Sequence, residues 1–157
     1  MGDIYRSWLA SLSIPPSSAA TTFLTAITDS KGRVVLAQLG DGLVLYRSNS
    51  SFGILTPERK GFSDQTNGLG FSRSWVDWQS STIMLQAPGD GVMLMTDGIS
   101  DDLNQEDLEK FFQKMQKEFS RRSSRNAKRW ISRQLEQWPT PGHSDDKTIA
   151  MIWQDSK

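Results

Sequence analysis

An α+β domain, in which antiparallel β-sheets pack as a sandwich with flanking helices, is the fold class that this sequence predicts. Short β-rich runs joined by turn residues fill the first half of the chain, as antiparallel strands require. Residues 91–95 are apolar without alternation, as in a strand buried on both faces. Two helical patterns then follow one another before a last strand, which argues against alternating βαβ units.

Taken in order, Ile4, Trp8 and Leu12 recur at helical spacing after Asp3, which is placed to cap a short helix that Pro15 and Pro16 terminate. Residues 21–28 are rich in Thr, Phe and Ile and read as a strand, and Asp29-Ser30-Lys31-Gly32 is a turn into a second strand over 33–39. Gly40-Asp41-Gly42 then leads into residues 43–47, a third strand, so a meander is expected. Residues 48–81 read as a long irregular connection, marked by Ile54-Leu55 before Pro57 and by Asn67-Gly68-Leu69-Gly70. Residues 82–86 and 91–95 are two more strands joined at Pro88-Gly89-Asp90, the second of them central. Asn104 with Asp107 resembles a capping box, and Leu108, Phe111, Phe112, Met115 and Phe119 follow one helix face. Ala127, Trp130, Ile131, Leu135 and Trp138 mark a second helix that Pro139 and Pro141 end, and residues 148–153 close the chain as a strand.

The 157 residues suit one domain, and no repeat divides them. Eighteen basic and eighteen acidic residues give a formal net charge of zero, so no global charge draws the chain to nucleic acid or membrane, and neither is expected as a partner. The lack of cysteine excludes disulfides, thiolate metal sites and a cysteine nucleophile. No apolar run has the length of a signal h-region or a membrane span, and a cytoplasmic location is expected.

The chemistry sits in aspartates. Asp97 directly follows the buried strand in Thr96-Asp97-Gly98-Ile99-Ser100-Asp101, where rigid backbone pre-sets a ligand's position. His143-Ser144-Asp145-Asp146-Lys147-Thr148 places another acidic pair before the last strand, and if that strand neighbours the central one, the two groups meet at one edge. Oxygen-only ligands suit Mg²⁺ or Mn²⁺, and one histidine without cysteine argues against zinc or copper.

Thr96-Asp97-Gly98-Ile99-Ser100-Asp101 resembles the T-D-G-[LI]-x-D motif of the protein phosphatase 2C family. Asp145-Asp146-Lys147-Thr148 is similar to its D-[ND]-x-T motif, and Gly40-Asp41-Gly42 to its G-D-[SG] motif. With Ala20-Thr21-Thr22-Phe23-Leu24 resembling the start of a family strand, the similarity covers residues 19–153, about the C-terminal two thirds of that fold. The resemblance implies Asp97 and Asp145 as ligands of a binuclear Mn²⁺ or Mg²⁺ centre that activates water to hydrolyse phosphoserine or phosphothreonine in a protein substrate. It implies Asp41, Asp97 and Asp101 for a weaker third site, with Asp146 and Gly98 in support. The family's Asp-Gly-x-Gly motif, an earlier acidic ligand and a phosphate-binding arginine have no counterpart here, and Arg6 lacks the motif context to serve. The expected domain, spanning residues 1–157, is therefore incomplete.

Plainer roles compete. Asp41-Gly42 is a common hairpin dipeptide, and Asp101, Asp102 and Asp107 stand near helix starts, where negative charge is favoured in any protein. His143 lacks a nucleophile elbow and reads as a loop residue. The basic run from Arg121 to Arg133 reads as a solvated helical face, and Trp75 with Trp78 as the exposed pair among six tryptophans. Three readings stay open: a phosphatase domain completed by another segment or chain, a non-catalytic relative that binds a phosphoprotein or signalling partner, and an unrelated binding module.

Overall fold

The computed structural model describes residues 2–55, 68–70, 72, 75–138 and 145–155, with backbone alone at residues 2–6, 16, 19 and 75. Two antiparallel sheets form the centre. The first has the order β1-β2-β5, from strands β1 (Phe23–Thr28), β2 (Arg33–Leu39) and β5 (Gln79–Met84). The second has the order β4-β3-β6-β7, from β4 (Ser51–Ile54), β3 (Leu43–Ser48), β6 (Gly91–Met95) and β7 (Ile149–Trp153). Helix α1 (Gly2–Ser11) precedes them, α2 (Asp97–Ser100) follows β6, and α3 (Leu108–Ser120) and α4 (Ser124–Glu136) come before β7. None of the described helices is long and apolar enough to cross a membrane.

Side-chain alternation along the strands sorts the core into two layers. Val34 and Leu36 of β2 meet Val44 of β3 and Val92 of β6 between the sheets, with Ile83 and Leu85. On the other face of the second sheet, Leu45, Met93 and Met95 meet Ile99, Leu108, Phe112 and Met115 under the helices. Strand β6 therefore contributes to both layers, which is why its sequence is apolar without alternation. Phe112 is fully buried and packs edge to face on Phe52. Burying one such large side chain stabilises the fold by about 1.5–3 kcal/mol.

Several expectations need correction. Residues 21–47 do not form a meander: β1 and β2 pair from Phe23↔Leu39 to Thr28↔Val34, but β3 leaves that sheet and pairs with β4 and β6. Gly40 and Gly42 adopt φ of 85° and 106°, which lets the chain turn from one sheet into the other rather than fold back beside β2. Strands β5 and β6 likewise belong to different sheets, and β5 begins and ends earlier than residues 82–86. The segment read as irregular contains β4, joined to β3 by Asn49 and Ser50 at φ 50° and 67°, the signs that a two-residue hairpin of type I′ needs. Asp3 lies within α1 rather than capping it, and that helix ends at Ser11, ahead of the prolines. Asn104 caps a 3-10 turn, Gln105–Asp107, that leads into α3. Trp78 is half-buried, edge to face on Phe23 at 5.7 Å, and so is no exposed partner for Trp75. Pro57, Asn67, Pro139, Pro141 and His143 lie outside the described residues.

Asp90, read from sequence only as part of a turn, is 1% exposed and ties the β5–β6 connection to the β3–β4 turn. Its Oδ2 accepts the backbone N–H groups of Gln86 (3.0 Å) and Ala87 (2.9 Å). Burial pushes this carboxyl up, but the backbone donors of Ala87, Gln86, Asn49 and Ser50 outweigh it and hold it below its ordinary 3.8. A depressed carboxyl contributes stability that is complete above the unfolded value and lost as pH falls through the folded one. Asp90→Ala is expected to cost about 3 kcal/mol at pH 7, from orphaned donors. Urea unfolding at pH 7 and at pH 3 checks this, with the difference from wild type shrinking at the lower pH.

Candidate metal centre

The register of the second sheet brings the acidic motifs to one end. Leu43 of β3 pairs with Met95 of β6, and Met95 pairs with Ile149 of β7. The residues just before β3, just after β6 and just before β7 therefore leave the sheet together. Asp41 stands two positions before β3, Asp97 two positions after Met95, and Asp145 and Asp146 shortly before Ile149.

Thr96 holds two of these segments in contact. Its hydroxyl donates to Asp146 O at 2.9 Å and accepts the Thr148 N–H at 2.9 Å, while its own N–H donates to Thr148 O at 3.1 Å. Gly98, the second residue of α2, lies so close to the neighbouring segment that a Cβ there would stand 2.8 Å from Asp146 O and 3.0 Å from Asp145 O. Only glycine fits that approach without displacing backbone. On the other flank, a Cβ on Gly42 would lie 2.7 Å from Met95 O. The buried Gln38 donates its Nε2 to Gly40 O (3.1 Å) and Gly42 O (3.2 Å), fixing the turn that carries Asp41.

Each carboxylate then has a distinct setting. Asp97 is half-buried, and its Oδ1 accepts the Gly98 N–H at 2.8 Å. Its other oxygen has no hydrogen-bond partner among the described residues. Asp101 caps the C-terminal end of α2, exposed, with the Ser100 hydroxyl 3.4 Å from its Oδ1. Asp145 and Asp146 are exposed, whereas Asp41 is half-buried. Asp102 has a structural bond instead: its Oδ2 accepts the indole N–H of Trp138 at 2.8 Å.

In chemistry the set fits a hard divalent cation, since every donor is an oxygen. In number it falls short of a full shell: among the described residues no three Asp, Glu or His side chains converge as a metal cluster. The structure thus brings Asp97 and the backbone of Asp145 and Asp146 together, with Asp41 and Asp101 on the flanks. Sequence reading missed Gln38 and the hydroxyl role of Thr96. A polar residue between Ala37 and Leu39 in an otherwise apolar strand was the available signal for the first. Thr96→Val is expected to cost about 1–2 kcal/mol and to speed hydrogen exchange at Thr148 more than at Met93, measured by exchange NMR.

Among curated protein sequences none matches the chain. Two solved structures share its fold: the phosphatase domain of the cell fate determinant SpoIIE from Bacillus subtilis and the manganese-presoaked form of that domain. The TM-scores are 0.52 without presoaking and 0.53 with it, at 16% and 15% identity. In both cases 96% of this chain is covered, and it spans 63% of the matched chain's length. Protein phosphatase 2C, a metal-dependent family, matches at residues 2–138, a span that includes α1, Asp41, Asp97 and Asp101 and stops short of Asp145. By that match over most of its length, the chain belongs to the protein phosphatase 2C family.

Proposed function

We propose that this domain binds Mn²⁺ or Mg²⁺ at the shared end of β3, β6 and β7 and serves the hydrolysis of phosphoserine or phosphothreonine in protein substrates. The observation that carries the reading is the strand register, which delivers the aspartates of three family-like motifs to one sheet end. Asp97 and Asp145 are the ligands in this reading, Asp41 and Asp101 belong to a weaker site, and Asp146 and Gly98 support them. A bound divalent cation supplies an acidified water and neutralises charge on the phosphoryl oxygens. The chain's own part is positioning: the Gly98 N–H fixes one oxygen of Asp97, and Thr96 keeps the Asp145 segment beside it. The further ligands of a complete centre would come from another segment or a second chain that completes the fold.

A second reading rests on a specific observation. No Asp-Gly-x-Gly motif occurs in the 157 residues, and no three ligating side chains converge among the described ones. Such a domain would keep the fold and recognise a phosphoprotein or signalling partner without turnover.

Two measurements separate the outcomes. Mn²⁺ at ten times its Kd is expected to stabilise the protein by about 1.4 kcal/mol, a rise of roughly 3 °C in melting temperature, and Asp97→Ala should abolish the rise. An unchanged melting curve in millimolar Mn²⁺ contradicts the site itself. Turnover of p-nitrophenyl phosphate and a phosphothreonine peptide that Asp97→Ala destroys supports the enzyme; metal binding without turnover supports the second reading.

A further inference from the structure

Asp41 is the candidate ligand with a glycine on either side. Gly40 and Gly42 adopt φ of 85° and 106°, and glycine has the widest backbone freedom of any residue. A side chain at either position would stiffen the turn, but neither can take one. Both hold φ values that other residues rarely adopt, and a Cβ on Gly42 would also stand 2.7 Å from Met95 O and 2.9 Å from a Leu24 methyl carbon. Restraint on the Asp41 backbone therefore has to come from another element.

Gln38 is placed to supply it. The residue is 2% exposed and stands on β2 opposite Leu24 of β1 and Gln79 of β5. It shares the strand face that carries Val34 and Leu36 into the layer between the sheets. A glutamine amide carries two N–H donors on one nitrogen, and here Nε2 reaches Gly40 O at 3.1 Å and Gly42 O at 3.2 Å. The two carbonyls flank Asp41, so one side chain holds the backbone on both sides of it. Removing the amide takes a donor from both at once, and carbonyls withdrawn from water move to find a replacement.

The turn so held has a fixed neighbour. Leu43 pairs with Met95, and Gly42 approaches Met95 O, two positions before Asp97. Asp41 lies where the chain crosses from the first sheet to the second, and Asp97 lies at the end of the second. Their relative placement thus depends on an amide anchored in β2 and on a close backbone approach to β6.

We propose that Gln38 is a positioning residue of the cation site: from inside the sandwich, its amide fixes the place of the Asp41 carboxylate beside the Asp97 segment. The role in binding rests on the reading of the sheet end as a cation site, whereas the ordering of the Asp41 turn needs no metal.

The test uses the full chain with Gln38→Met, which keeps the length and bulk of the side chain and removes both donors, with Asp41→Asn, and with the two combined. Mn²⁺ affinity is read by electron paramagnetic resonance, and backbone order by ¹⁵N relaxation of the metal-free protein. Gln38→Met is expected to weaken Mn²⁺ binding about ten-fold and to add nothing to the loss caused by Asp41→Asn, because both changes act on one ligand. In the metal-free protein the order parameters of Asp41 and Gly42 should fall from about 0.85 to below about 0.6, while those of Leu36 and Val44 hold. A glutamine that only stabilised the fold would lower the melting temperature without this pattern. Unchanged Mn²⁺ affinity in Gln38→Met, or losses that add, therefore overturn the proposal. If Gln38→Met does not fold, Gln38→Asn, one methylene shorter with its amide kept, takes its place with the same expectations at smaller size. Failure of the wild-type chain to bind Mn²⁺ would overturn the cation reading itself; a loosened turn would then still show Gln38 anchoring Asp41, and an unchanged turn would overturn that as well.

Discussion

Strand β6 is paired on both sides and buried on both faces, and the rest of the architecture is arranged around it. Its two faces feed separate core layers, so the sheets and the helices can pack only if Val92, Met93 and Met95 are all apolar. Because β3 and β7 both run antiparallel to β6, the start of each lies beside its C-terminal end. Two close backbone approaches, at Gly42 and Gly98, then draw the flanking turns together. The acidic end of the sheet is thus a consequence of pairing order and of two missing side chains, with Thr96 as the hydrogen-bonding clasp.

The parts of this arrangement that could be read from sequence are those with strong local periodicity. Strand β6 announced itself by an unbroken apolar run, and α3 and α4 by apolar residues on one helical face. The change of sheet at Gly40-Asp41-Gly42 could not be read, because the glycines that permit a hairpin also permit a crossing between sheets. Strand β4 was hidden by its length of four residues and by a turn, Asn49-Ser50, without the usual glycine. The adjacency of Asp97 and Asp145 was conditional on strand order, which local pattern does not determine, and the register supplied it. Gln38 and Asp90 are buried polar residues that bond backbone groups two to four residues away, and those partners come within reach only once the adjoining turns have folded.

Charge separates in the same molecule. Aspartates gather at the sheet end, while residues 108–136, which span α3 and α4, carry nine Lys and Arg against three Glu. Trp138 bridges the two regions through its bond to Asp102, and Ile99 lies behind the Asp97 segment at the base of a cleft lined by α3 and α4. The helical layer is thereby in direct packing contact with the segment that bears the candidate ligands.

The central claim is that the end of β3, β6 and β7 is a cation site, and paramagnetic line broadening by substoichiometric Mn²⁺ tests it most directly. The account predicts broadening of the amide signals of Gly98, Asp101 and Asp145 first, with signals across α4 remaining sharp. Broadening centred elsewhere on the chain, or spread evenly over all exposed carboxylates, would contradict it.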